Sequence, residues 1–199
     1  MENIRQIPDA NLLVLQQQVA LGSQAAFREI YALFYKRLYH FTFAITKTRE
    51  SAEEIVEDVF VRIWQQRYNL PSIQNLKVYL YTASKNTALN YLSRKARENI
   101  TEPFDHIDIS LMPTEINPEE IMITDEILHK IRTAIENLPP RCKMIFKLVR
   151  EDNLKYKEVS EILNISINTI DAQMAIAVKR IAATLQSDLH LKRKPIANN

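Results

Sequence analysis

Apolar residues recur along most of this chain at steps of three and four, the spacing that lines one face of an α-helix. In residues 154–185, LKYKEVSEILNISINTIDAQMAIAVKRIAATL, Val159, Ile162 and Leu163 fall on one face of a first helix. Ile170, Met174, Ala177, Val178, Ile181 and Leu185 fall on one face of a second. Between the two, Asn164 tolerates left-handed backbone, Ile165 can plug the junction, and Ser166 can cap the amides that open the second helix. Two short helices on a tight turn place a helix in the DNA major groove, and Asn168, Thr169, Asp171, Ala172 and Gln173, then Lys179 and Arg180, remain outside to face it. An ordinary helical hairpin satisfies the same spacing, so this segment alone does not decide.

Upstream, Asp9 can cap a short helix through Leu12, Leu13, Leu15 and Val19 that stops near Gly22, and Ser23 can cap the next. Phe27, Ile30, Tyr31, Phe34, Leu38, Phe41 and Ile45 then mark a long helix to about Thr46. Ser51 and Glu54 have capping-box spacing ahead of the stripe Ala52, Ile55, Val56, Val59, Phe60, Ile63 and Trp64. Pro71 breaks the pattern, which resumes over residues 76–97 with Leu80, Ala83, Leu89 and Leu92 expected inward. These helices make a first domain, residues 1–98. Pro103, Pro113 and Pro118 interrupt residues 99–124, which read as a linker. Ile127, Leu128, Ile131, Ile135 and Leu138, a pause at Pro139-Pro140, and Met144, Ile145, Leu148 and Val149 precede the helix pair above, giving a four-helix second domain, residues 125–188, and a basic tail, 189–199. The expected fold is all-α, two small helical domains joined by an acidic linker.

Composition supports that fold. A single glycine in 199 residues leaves little with which to build the tight hairpin turns of sheets. The lone Cys142 allows no internal disulfide and stands in no zinc-ligand spacing, which fits a reducing cytoplasm. No basic segment followed by an apolar run opens the chain, and no stretch is long enough to insert in a bilayer, so a soluble cytoplasmic protein is expected. His40, His106, His129 and His190 show no ligand or acid–base clustering, so neither an enzyme nor a metal or other cofactor is expected. Net charge is only +2, but its distribution is uneven. Residues 75–97 hold five basic residues and no acid, 98–129 nine acids and no Lys or Arg, and 127–199 thirteen basic and seven acidic residues.

Three segments in order, SQAAFREIYALFYKRLYHFTFAITKTRESAEEIVEDVFVRIW, NLKVYLYTASKNTALNYLSRKAR and IENLPPRCKMIFKLVREDNLKYKEVSEILNISINTIDAQMAIAVKRI, strongly resemble extracytoplasmic-function (ECF) sigma factors of the sigma-70 family. Within that family it resembles the iron- and polysaccharide-uptake-associated members common in Bacteroidetes. The resemblance implies a promoter-specificity subunit. Its first domain, region two, would grip the beta-prime clamp coiled coil of core RNA polymerase and open promoter DNA at the minus-ten element. Its second, region four, would read the minus-thirty-five element and meet the beta flap. It also implies a membrane-bound anti-sigma factor as inhibitor.

By that resemblance Glu53, Glu54, Glu57, Asp58, Gln65 and Gln66 lie on the polymerase-binding helix; a solvated helix face reads the same way, and a di-metal carboxylate site lacks the His expected at the third position on. Lys77, Lys85, Arg94, Lys95 and Arg97 would neutralise minus-ten phosphates, and Tyr79, Tyr81 and Tyr91 would stack on bases or pack in the core. Tyr79 stands where the family usually has Trp. Asn86, in Ser84-Lys85-Asn86, matches the family's base-contacting Asn, while Asn90 replaces an Asp and Ser93 an Arg. The polar loop 68–75 falls where the family captures a flipped base. In region four Asn168, Thr169 and Gln173 suit base edges, and Arg141, Lys155, Lys157, Lys179 and Arg180 suit phosphates. Asp171 can accept from a cytosine amino group or support its helix N-terminus. The acidic linker can thread polymerase surfaces built for nucleic acid, or simply be a charged tether. The competing class is a helix-turn-helix regulator with an N-terminal sensing or protein-binding domain.

Overall fold

Steric punctuation between apolar stripes sets the helix order. The computed structural model describes residues 9–98 and 122–191, and among these all regular structure is helical. The chain divides into two units between Ile107 and Asp108. The first holds α1 (Asp9–Ala20), α2 (Gln24–Thr46), α3 (Arg49–Gln65), a 3-10 turn (Arg67–Ser72) and α4 (Leu76–Glu98). Gly22 takes φ +90° after α1, a backbone that other residues resist, and the Ser23 Oγ then accepts from the Ala26 N–H at 3.3 Å to open α2. Helices α2, α3 and α4 pack pairwise, and α1 closes over α2 and the 3-10 turn. Ile30, Phe34, Leu38, Phe41, Ile55, Val56, Val59, Phe60, Ile63 and Leu80 are buried between them.

Two expectations for this unit fail for physical reasons. The capping box at Ser51 does not form. Lys47 ends α2 in left-handed backbone and Thr48 is extended, so α3 already starts at Arg49 and Ser51 lies inside its first turns. There the buried Ser51 hydroxyl accepts from Thr48 Oγ1 and donates to the Tyr91 hydroxyl of α4, each at 2.7 Å, tying the connection to α4. In α4 the buried stripe is Leu76, Leu80, Tyr81, Ser84 and Ala88, and Leu89 points outward, 38% exposed. Tyr81, Ser84 and Ala88 share the helical period of the buried face and Leu89 does not, so the face follows a tyrosine, a serine and an alanine rather than the leucines alone.

The second unit holds α5 (Met122–Glu136), α6 (Pro140–Arg150), α7 (Tyr156–Leu163) and α8 (Ile167–Leu191). Helix α5 starts within the stretch expected as linker, and α8 runs three residues into the expected tail. The rest of the linker and tail, 99–121 and 192–199, lies outside the described residues. Pro139 and Pro140 open α6, where a missing N–H costs nothing. Leu138, Cys142 and Ala177 form a core cluster flanked by Ile135, Phe146 and Ile181. Val159, Ile162, Ile170 and Met174 are buried in the same unit, whereas Val178, expected inward, is 51% exposed, one step round from Ala177. Glu136 bridges Lys147 at 3.0 Å and the buried Lys143 at 3.3 Å, fastening α5 to α6.

Candidate nucleic-acid interface

The turn between α7 and α8 is built as its residues dictate. Glu158 accepts from the Lys155 backbone N–H at 2.7 Å to start α7. Asn164 takes left-handed backbone (φ 53°, ψ 52°) to end it, and the Ser160 hydroxyl donates to the Ile165 carbonyl across the corner. Ser166 Oγ accepts from the Thr169 N–H at 3.1 Å, capping α8. On α8, Asn168, Ala172 and Lys179 share the outward strip. Asp171 lies on one flank, and Thr169, Gln173 and Arg180 lie on the other. The Thr169 hydroxyl is already hydrogen-bonded to Ser166 at 2.8 Å, so it serves the cap first. Cys142 donates to the Gln173 carbonyl at 3.2 Å and so fixes the first turns of α8 against α6; burial pushes that thiol's pKa up, against the opposing charge of Arg180. Arg141, Lys155 and Lys157 are exposed on the neighbouring elements.

On α4, Tyr79, Asn86, Asn90, Ser93 and Arg97 fall on one outward strip, with Arg94 beside it. Lys77, Lys85 and Lys95 stand off that strip, and Lys77 and Lys85 are half-buried. The three tyrosines separate cleanly. Tyr81 is 1% exposed and packs edge-on against Phe41 at 5.2 Å, so it is core and presents no stacking face. Tyr91 is half-buried and bound to Ser51, with the Arg94 guanidinium 6.0 Å from its ring. Only Tyr79 offers an exposed ring. Ahead of α4, the Asn75 side chain accepts from the Val78 N–H at 3.1 Å. The Arg67 guanidinium sits 5.0 Å from the Trp64 ring and 4.6 Å from that of Tyr68.

Glu53, Glu54, Glu57, Asp58 and Gln65 are exposed on α3 around the equally exposed Val61, and Gln66 stands just past the helix end. Beside them runs a feature that the sequence reading passed over. Tyr31, Tyr35, Tyr39 and Phe43 stack along α2 at 4.8, 6.5 and 6.3 Å, and Phe27 turns its ring to Trp64 at 5.0 Å. Their four-residue spacing was the available signal. Burial, then the negative charge of Tyr31, Glu53 and Glu57, pushes Tyr35 up to about 12. Burial and Glu57 raise Tyr31 in the same direction. Among the described residues no cluster of His, Cys, Asp or Glu could hold a metal, and no helix is long and apolar enough to cross a membrane.

A helix-turn-helix unit preceded by a helical unit with a polar strip on its last helix defines a two-unit all-α protein of the helix-turn-helix kind. The family model Sigma-70 region 2 matches residues 30–98, and Sigma-70, region 4 matches 128–181, together more than half of the chain. The chain is 24% identical over 179 residues to the ECF RNA polymerase sigma-E factor of Escherichia coli (strain K12), covering 87% of this chain and 93% of that protein. It is 22% identical over 170 residues to the ECF RNA polymerase sigma factor SigW of Bacillus subtilis (strain 168), covering 79% and 88%. Among solved structures, RpoE of Bartonella quintana in complex with the anti-sigma factor NepR matches its fold with a TM-score of 0.55 at 19% identity, over 81% of this chain and 98% of that one. CnrH in complex with the cytosolic domain of CnrY matches with 0.52 at 16% identity, over 88% and 97%. The chain belongs to the sigma-70 family and is a sigma factor of the ECF type.

Proposed function

We propose that the chain binds core RNA polymerase and directs it to promoters by reading two elements, one with each unit, while the polymerase supplies the phosphodiester chemistry. The observation that carries this reading is the pairing of a capped helix-turn-helix with an upstream helix whose Tyr79, Asn86, Asn90, Ser93 and Arg97 share one outward strip, in the family's order. Asn168, Asp171, Ala172 and Gln173 face the edges of the upstream element's bases. Thr169 supports them through the cap, and Arg141, Lys155, Lys157, Lys179 and Arg180 hold phosphates. At the downstream element Asn86 and Asn90 meet bases, Tyr79 stacks, and Lys77, Lys85, Arg94, Lys95 and Arg97 neutralise the backbone. The loop 68–75 receives one unpaired base of the non-template strand.

Glu53, Glu54, Glu57, Asp58, Gln65 and Gln66 meet a basic clamp surface of the beta-prime subunit, and the region-four unit meets the beta flap. The two sigma factors of similar fold were solved with anti-sigma partners, CnrY and NepR. An anti-sigma factor, membrane-bound and covering these faces, is the matching regulator for this cytoplasmic chain. The test is transcription by core polymerase supplemented with the chain on fragments of its own genome. Discrete transcript starts preceded by a shared pair of elements support the reading. Duplex binding without initiation would leave a helix-turn-helix regulator instead.

A further inference from the structure

Helix α1 buries Leu12, Leu15 and Val19, and the same seam takes in Gln16, a polar side chain only 1% exposed. A leucine there would satisfy the apolar stripe. The Gln16 amide instead donates from Nε2 to the Leu70 carbonyl at 2.7 Å and to the Ile73 carbonyl at 2.9 Å. Both acceptors are backbone oxygens, so the amide's nitrogen must face them, and its two N–H groups are both engaged. The two carbonyls bracket Pro71 and Ser72, where the chain leaves the 3-10 turn and Pro71 has no N–H to give. Gln16 thus braces, from a helix more than fifty residues upstream, the stretch that sets the course of the loop.

The near end of that loop is also fixed. Arg67 donates to the Trp64 carbonyl at 3.0 Å and to the Tyr68 hydroxyl at 2.9 Å, and its guanidinium lies against both rings. Tyr68 is nevertheless 70% exposed, an aromatic ring held in place with most of its surface open to a nucleobase.

We propose that Gln16 is a positioning residue for base recognition: by holding the Leu70 and Ile73 backbone it keeps Tyr68 and its loop in the shape that discriminates one unpaired promoter base, without itself touching DNA. This rests on the reading of the 68–75 loop as the base-receiving element, and the experiment separates the two. Gln16→Leu removes both donors at similar size, Gln16→Met is the second variant should the first fold poorly, and Tyr68→Ala strikes the loop's own ring. Each full-length protein is combined with core polymerase on pre-melted templates carrying each of the four bases at successive non-template positions. Initiation is normalised to the polymerase-bound fraction, and thermal melting is followed in parallel. The wild type is expected to prefer one base at one position, and both Tyr68→Ala and the Gln16 variants are expected to flatten that preference by about tenfold, with upstream-element preference intact. Gln16 variants that melt earlier yet keep the wild-type base profile, while Tyr68→Ala flattens it, would overturn the positioning role alone. A profile that Tyr68→Ala leaves intact overturns the loop reading, and the positioning role falls with it.

Discussion

Gln173 shows how the backbone and side chain of one α8 residue can take separate tasks. Its backbone carbonyl is held by Cys142 and its half-buried side chain lies on the flank it shares with Arg180, so the residue is anchored, and the proposed reading gives its side chain a base edge. Replacing Gln173 with Ala should change preference at one upstream-element position by about 1–3 kcal/mol of discrimination, read from binding of the polymerase complex to a set of single-base variants. A uniform loss across the set would assign it to phosphate or to the fold. Tyr35 gives a second residue-level test. Its raised ionisation, to about 12 from an ordinary 10.0, favours the neutral phenol in the folded state. That contribution to stability is full below pH 10 and is lost as pH rises from there towards 12. An ultraviolet titration of the tyrosines should show a late-ionising group that Tyr35→Phe removes. At this scale the sequence was readable where backbone chemistry is local, as at Asn164 and Ser166, and unreadable where contact is distant. Nothing in the spacing of Tyr79, Tyr81 and Tyr91 says that Phe41 covers Tyr81 or that Ser51 engages Tyr91.

Among elements, the α7–α8 corner is held by local backbone chemistry that single substitutions can test. Ser166→Ala should cost about 1 kcal/mol through the lost cap, and Asn164→Val about 1–2 kcal/mol because a branched side chain resists left-handed backbone. Denaturant unfolding of the two variants checks both figures, and Asn164→Gly should be near neutral or stabilising. The α2–α3 connection teaches the opposite lesson. Ser51 and Glu54 have the spacing of a capping box, but Lys47 and Thr48 complete the turn in two residues and leave Ser51 no cap to make. Capping signals are legible when the connection's length is known, and that length depends on how α2 and α3 pack. The aromatic ladder on α2 was missed for a similar reason. The buried stripe of α2 is its core face, while Tyr35, Tyr39 and Phe43 line a half-buried edge, with Tyr35 in the field of Glu53 and Glu57.

For the molecule as a whole, the proposed reading of one promoter element by each unit fits a net charge of only +2, because two weak contacts on one chain act together. Neither strip carries the dense positive charge of an autonomous DNA binder. On α4 the basic residues are distributed round the helix, with Arg97 on the polar strip, Arg94 beside it and the lysines off it. Lys85→Ala and Arg94→Ala should each weaken open-complex formation and reduce the slope of its salt dependence by roughly one phosphate's worth. An unchanged slope for either would remove that residue from the DNA path. The two-unit helical architecture was legible from apolar periodicity and from the scarcity of glycine, because each unit is a short-range packing problem.

A chain that makes core polymerase open one kind of promoter must separate the strands there, and strand opening can be seen directly. Permanganate probing of promoter DNA with core polymerase and the chain together should reveal reactive thymines in one short patch, at a fixed distance downstream of the element assigned by proposal to the α8 strip, and none with either component alone. Promoter DNA bound by the chain and polymerase but free of reactive thymines, under conditions where a known sigma factor opens its own promoter, would contradict the proposed function.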